Sequence, residues 1–279
     1  MLGRIEDLAD DEVLSILKGV RPDVLIGGPP CQGFSNGNVL RTPHDPRNRL
    51  VFVFADVLES LNKHGGVDFF VLENVSGLLS RKQQSRFQRL LAALCRAGFR
   101  VSQHEVNALD HGVPQDRRRV LLIGLNAERF PTSSITIRKP RRKEPKTIRE
   151  VLGDLPDCVF FDRGLGPEAI PFHPNHWTMR PKSSRFSNQQ FNRWRSFRIL
   201  EWDRPSPTVA YGNREIHIHP NGERRLSVLE AMLLQGLPRR FVLKGNLSEQ
   251  VKQVSNIVPP PVARAAASAI RRALTEAAS

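Results

Sequence analysis

The stretch that decides the fold is DVLIGGPPCQGFSNGN, residues 23–38. Its largely apolar opening predicts a buried β-strand over residues 23–27. Two glycines and two prolines end this run, and a cysteine, Cys31, follows them directly. Ligands of open α/β sheets bind beyond the carboxyl ends of the strands. The sequence therefore places a thiol where a strand would present it to a ligand.

The following residues alternate between strand and helix patterns. They predict strands at 67–75, 99–107 and 117–125, and helices at 46–62 and 82–97. This alternation is typical of a parallel or mixed sheet covered by helices, and we predict the α/β class.

Beyond residue 125 the alternation of strand and helix patterns ends, and residues up to about 204 are rich in Pro, Arg, Ser and Asn. Helices are predicted again at 227–237 and 260–274. We predict one domain from residues 1–125 plus 255–279, and a second part from residues 126–254.

Charge is the first indication of function. The 279 residues carry 42 Lys and Arg against 28 Asp and Glu, a net charge of +14, which suits a protein that binds phosphate backbones. Two basic runs, 138–146 and 180–198, contribute to it, although either alone is also typical of a solvated loop. No apolar run approaches the ~18 residues of a membrane span, and no targeting signal is visible, so we expect a cytoplasmic protein without a membrane partner.

The three cysteines indicate neither a disulfide framework nor a cysteine-rich zinc site, because they are odd in number and form no Cys-x-x-Cys pair. Cys95 lies in an apolar helical pattern and is expected in the core. Cys158 follows a probable loop and has no predicted role. Cys31 shares the predicted sheet edge with Glu73 and Asn74, which end the strand at 67–75. Each has an ordinary explanation alone, an inert thiol or a helix cap, but their co-location indicates a site.

Histidines raise the alternative of a metal site. They occur as two pairs, His173 with His176 and His217 with His219. No Cys or carboxylate set at recognisable spacing completes either pair, and we predict no metal.

Several blocks in the same order together resemble DNA cytosine-5 methyltransferases. They cover nearly all of the chain except the basic insertion, and they read PPCQGFS, ENVSGLL, NALDHGVPQDRRRVLLIG, RPSPTV, HPNGERRLSVLEAMLLQGLP and SNIVPPPVA. The resemblance implies a Rossmann-like S-adenosylmethionine-dependent methyltransferase sheet with a small, irregular target-recognition domain.

The resemblance also implies roles for catalytic residues. Cys31 would add to carbon 6 of a cytosine flipped out of double-stranded DNA, so that carbon 5 can accept a methyl group from S-adenosyl-L-methionine. Glu73 would hold or protonate N3 of the base. Arg117 and Arg119 match the two arginines of the Gln-x-Arg-x-Arg block, and as alternate residues they would share one face, with Arg118 facing away. That they only brace carboxylates at the sheet edge stays open.

The cofactor site implied by the resemblance is partial. Pro30, Leu50, Asn256 and Val258 would line it. The Phe-x-Gly-x-Gly turn and the ribose-binding acid that normally precede these blocks are not found, and Gly3–Ile5 is the nearest match to a Gly-Asp-Ile block. We therefore expect an incompletely defined gene start, a partner subunit or segment that supplies the first strands, or a decayed copy.

The complete enzyme is expected to be a monomer. This chain alone is expected to be poorly stable and prone to aggregate, because a missing central strand would expose a sheet edge.

Four functions are compared. A DNA cytosine-5 methyltransferase, acting in restriction-modification and associated with the nucleoid, explains most blocks. An inactive DNA-binding remnant or one subunit of a split enzyme is the alternative. The transfer-RNA branch of the family typically carries a Cys-Phe-Thr signature, which is absent here. A cysteine hydrolase would leave the Glu-Asn-Val block unexplained.

Overall fold

The computed structural model describes residues 17–29, 49–139, 144–182, 186, 197–208 and 217–277. The chain forms two compact units. The first comprises Met1–Val106, Arg118–Ile137 and Ala267–Ser279, and the second comprises Asn107–Arg117 and Arg138–Ala266. Within the described ranges, no helix is both long and apolar enough to cross a membrane.

The regular elements of the described residues are ten strands and six α-helices. The strands are β1 (Val24–Gly27), β2 (Phe69–Val75), β3 (Phe99–Asn107), β4 (Gln115–Asp116), β5 (Arg118–Asn126), β6 (Val159–Phe160), β7 (Trp177–Thr178), β8 (Arg198–Ile199), β9 (Ser206–Pro207) and β10 (His217–Ile218). The helices are α1 (Leu50–Lys63), α2 (Gln84–Arg96), α3 (Arg149–Leu152), α4 (Val228–Leu234), α5 (Leu247–Ser255) and α6 (Pro260–Ala277).

The first unit is built on a mixed four-stranded sheet with the order β1-β2-β5-β3. Strands β1 and β2 run parallel, whereas β2 and β5 run antiparallel. Side chains of α1, α2 and the sheet form one apolar core. Gly27 is required at the end of β1, because a Cβ there would lie 2.7 Å from the ring of Phe54 on α1. The predicted mixed sheet covered by helices is confirmed.

Cys95 corrects one expectation from the sequence. It is exposed, because α2 turns the residues Phe87, Leu90 and Leu94 toward the core. These three positions follow the helical period of 3.6 residues, and Cys95, one residue after Leu94, is rotated away from that face.

The second unit contains short paired strands and helices. The pairs are β4 with β9, β6 with β7, and β8 with β10, all parallel. Helix α4 begins with a capping box, in which the Ser227 hydroxyl accepts from the Glu230 amide and the Glu230 carboxylate accepts from the Ser227 amide. Glu230 is 1% exposed, and its carboxylate also accepts hydrogen bonds from both terminal guanidinium nitrogens of Arg224, each at 2.8 Å. This buried pair fixes the start of α4.

The boundaries of the two units differ from those predicted, 1–125 plus 255–279 and 126–254. Residues up to Ile137 belong to the first unit. Strand β5 continues to Asn126, one residue past the predicted boundary, and the residues after it also pack within that unit. Conversely, Asn107–Arg117 belongs to the second unit, where β4 pairs with β9.

Candidate active site

Two turns meet at the carboxyl edge of the first two strands. The parallel register pairs Gly27 of β1 with Leu72 of β2, so the segment after Gly27 lies beside Glu73 and Asn74. The Asn74 side-chain amide donates to the Pro29 carbonyl at 3.5 Å, and a Cβ on residue 28 would lie 3.4 Å from Glu73 Oε2. The turn that leads toward Cys31 is therefore next to the end of β2. Pro30 and Cys31 themselves lie outside the described residues.

Glu73 and Arg119 form an ion pair at this edge. The antiparallel register of β2 and β5 places Arg119 opposite Val75, two positions from the partner of Glu73. Arg119 Nε lies 2.8 Å from Glu73 Oε1, and the two side chains are 14% and 18% exposed. The pair is thus shielded from water but still accessible.

Burial lowers the pKa of Arg119, and the Glu73 carboxylate opposes this shift. A guanidinium still keeps its proton at neutral pH under such a shift. The pair therefore offers a carboxylate acceptor and a cationic donor side by side. A planar ligand whose edge carries both a donor and a carbonyl oxygen would match it.

Arg117 has different surroundings, in the second unit. It is 6% exposed, and its Nη2 donates to the Ile257 carbonyl at 2.9 Å. That carbonyl lies between two residues predicted on the cofactor side, Asn256, which is exposed, and Val258, which is half-buried. Leu50, the remaining described residue of this set, is half-buried at the first position of α1. Arg118, between the two arginines, is exposed.

The sequence did not indicate Gln235, nor the contacts that Asn74 and Arg117 make. The Asn74 amide contacts the turn before Cys31, and two buried side chains hold backbone carbonyls near Asn256. These side chains are Arg117 and Gln235, whose Nε2 donates to the Val254 carbonyl at 3.0 Å. The run of prolines after Val258 was the available signal, since proline has no amide proton for neighbouring carbonyls.

The four histidines of the two pairs are buried in the second unit. His176 lies between the Ser227 hydroxyl and the Pro156 carbonyl, at 2.9 and 2.8 Å. His219 lies 3.7 Å from Glu230, and burial lowers the pKa of His217 to about 4, with Arg198 acting in the same direction. In the part of the chain that is described, no three His, Cys, Asp or Glu residues are grouped to hold a metal ion.

Cys158 is a half-buried thiol of the second unit. Burial raises its pKa to about 12. The thiol, and not the thiolate, is therefore present at neutral pH, and Cys158 is unsuited to nucleophilic attack.

Comparison with known proteins finds relatives along nearly the whole chain. The family described as C-5 cytosine-specific DNA methylase matches residues 3–272. Type II methyltransferase M.MthTI of Methanothermobacter thermautotrophicus is 31% identical over 284 residues, which cover 91% of this chain and 80% of that protein. Type II methyltransferase M1.HphI of Haemophilus parahaemolyticus is 32% identical, over 94% of this chain and 72% of that protein.

Solved structures have the same fold. A putative DNA modification methyltransferase encoded within an E. coli prophage aligns with a TM-score of 0.72 and 23% identity, over 98% of this chain and 85% of that one. The S. pombe Dnmt2 methyltransferase aligns with a TM-score of 0.62 and 15% identity, over 99% and 84%. The predicted Rossmann-like methyltransferase fold is confirmed.

Proposed function

This chain belongs to the C-5 cytosine-specific DNA methylase family, and on that premise we propose how its residues divide the reaction of a DNA (cytosine-5)-methyltransferase. The substrate is a cytosine flipped out of double-stranded DNA, and the methyl donor is S-adenosyl-L-methionine. Its relatives are type II methyltransferases, and we assign this chain the modification role in such a restriction-modification system.

The Glu73–Arg119 ion pair is the observation that carries the proposal. Cytosine presents an amino group and N3 beside a carbonyl oxygen. Glu73 shares a proton with N3 and its other oxygen accepts from the amino group, while Arg119 donates to the carbonyl oxygen. The proton at N3 and the donor at the carbonyl oxygen withdraw electron density from the ring, which makes carbon 6 more electrophilic.

Cys31 supplies the nucleophile. Its thiolate adds to carbon 6, and the electrons of the C5–C6 double bond then make carbon 5 nucleophilic. After methylation of carbon 5, loss of the carbon-5 proton and departure of the Cys31 sulfur restore the ring. Asn74 supports the attack of Cys31 by donating to the Pro29 carbonyl, two residues before the thiol.

The residues that the family resemblance assigns to the cofactor include apolar and polar side chains. Leu50 and Val258 are half-buried apolar side chains, and Asn256 is an exposed amide. With Pro30, they would hold S-adenosyl-L-methionine, which supplies an electrophilic methyl group when bound.

The test is a covalent trap. A duplex library with randomised positions and 5-fluorocytosine is incubated with the protein and S-adenosyl-L-methionine, because fluorine at carbon 5 cannot leave as a proton does. We expect a protein–DNA adduct that survives denaturation, and sequencing of the trapped DNA gives the recognition site. Cys31→Ser should abolish the adduct, Glu73→Gln should lower its rate at least about tenfold, and Cys95→Ser should leave it unchanged.

Two results would contradict this proposal. Salt-sensitive duplex binding without an adduct at any cofactor concentration would favour the DNA-binding remnant or the split enzyme. An adduct that persists in Cys31→Ser would remove Cys31 from the mechanism.

A further inference from the structure

The turn between α5 and α6 has no local hydrogen-bond donor for the Ile257 carbonyl. It reads SNIVPPP, residues 255–261. In a helical turn, the Ile257 carbonyl would accept from the amide three or four residues later, but both positions, Pro260 and Pro261, are prolines without an N–H group. A half-buried carbonyl without a partner costs free energy, so this turn depends on a donor from elsewhere in the chain.

Arg117 is that donor. Its Nη2 lies 2.9 Å from the Ile257 oxygen, 140 residues away in sequence. The backbone of Arg117 is itself fixed, because its amide donates to Asn107 Oδ1 at 3.1 Å and its carbonyl accepts from the Ala108 amide at 3.0 Å. Hydrogen bonds therefore fix Arg117 both at its backbone and at the end of its side chain.

Other contacts hold the same turn. The Gln235 side chain, 1% exposed, donates to the Val254 carbonyl just before the turn. At Gly236, which has a φ of 80°, a Cβ would lie 3.2 Å from Pro261 and 3.3 Å from Val113. Such close packing favours glycine and brings the segment before Arg117 against the first proline-rich turn of α6.

We propose that Arg117 is a positioning residue: it fixes the backbone of residues 255–258 and through it the affinity for the methyl donor, and it does not contact the flipped base. The link to the methyl donor rests on the proposed function, in which Asn256 and Val258 line the cofactor. This assigns different work to the two arginines of the Gln-x-Arg-x-Arg block, since Arg119 pairs with Glu73.

The experiment compares Arg117→Met with Arg118→Met, an exposed neighbour. In the free protein, hydrogen–deuterium exchange of the amides of residues 254–258 should be faster in Arg117→Met and unchanged in Arg118→Met. The dissociation constant for S-adenosyl-L-methionine should rise about tenfold, because a charge-assisted hydrogen bond is lost, while duplex affinity stays the same. Arg117→Lys, which keeps a cationic donor, should recover part of both effects.

Unchanged exchange at residues 254–258 would overturn the proposal, and so would a loss of duplex affinity with unchanged cofactor affinity, which indicates direct DNA contact. If Arg117→Met does not fold, Gln235→Met removes another donor to this segment and should speed exchange in the same way. Hydrogen–deuterium exchange is measured without cofactor or DNA. It therefore tests whether Arg117 stabilises the turn even if the 5-fluorocytosine trap gives no adduct.

Discussion

His217 shows how burial sets the charge of a single residue. It is 4% exposed, and the protonated form would have to leave water and lie near Arg198. Both effects favour the neutral ring, and desolvation is the larger one. The folded protein therefore holds a histidine that stays mostly neutral until the pH falls to about 4.

This lowered pKa predicts a specific loss of stability in acid. The folded pKa is about 4 and the unfolded value 6.5, so between these pH values the unfolded chain binds a proton that the folded chain does not. Stability from this group is constant above pH 6.5 and falls as the pH drops toward 4. Between pH 7.5 and 5.0 the free energy of unfolding should lose about 2 kcal/mol through His217.

Urea unfolding of the wild type and of His217→Gln at both pH values measures this contribution. The pKa values of other histidines, His104, His111, His173 and His219, are lowered in the same direction, so the wild type should lose more in total. Only the difference between the two proteins reports on His217. Parallel losses would show that His217 titrates normally in the folded state.

At the scale of elements, β1 is an apolar strand at the end of the sheet order in the described residues. Its Ile26 is 70% exposed. Parallel strands are usually covered on both faces, and an exposed apolar edge strand can pair with another copy.

Ile26→Lys should therefore reduce self-association. A charge on an edge strand opposes strand pairing, and so exposed a position should change the free energy of unfolding by less than about 0.5 kcal/mol. Light scattering against protein concentration measures the effect, with Ile26→Val as the apolar control. Equal scattering from Lys and Val variants would place the associating surface elsewhere.

Elements long enough to show a hydrophobic period were predictable from the sequence. Strand β3 has the predicted bounds, and β5 is shifted by one residue from the prediction at 117–125. The two-residue strands of the second unit were not found, because two residues carry no period. The proximity of Glu73 to the turn after β1 followed from parallel pairing, whereas the bond from Arg117 to Ile257 depends on tertiary packing that local pattern does not encode.

For the whole molecule, the net charge of +14 predicts how DNA binding responds to salt. Each phosphate contact releases counterions, so the logarithm of the affinity should fall linearly with the logarithm of salt concentration. With about six contacts the affinity would fall roughly 1,000-fold between 50 and 200 mM salt.

Arg138, exposed at the start of the basic run 138–146, is suited to test one such contact. Fluorescence anisotropy of a labelled duplex should give a slope reduced by about 1 for Arg138→Ala. Lys63→Ala is the control, since Lys63 is paired with Glu59 on α1. Equal slopes for all three proteins would exclude Arg138 from the DNA interface.

The second unit draws on two separate stretches, Asn107–Arg117 and Arg138–Ala266, and the β4–β9 pair joins them. A gene chimera that replaces only the later stretch with that of a relative would leave β4 beside a foreign β9. Exchange of specificity between such enzymes would then require both stretches to be replaced, with a crossover at each of their four ends, or a β9 that already matches its new neighbour.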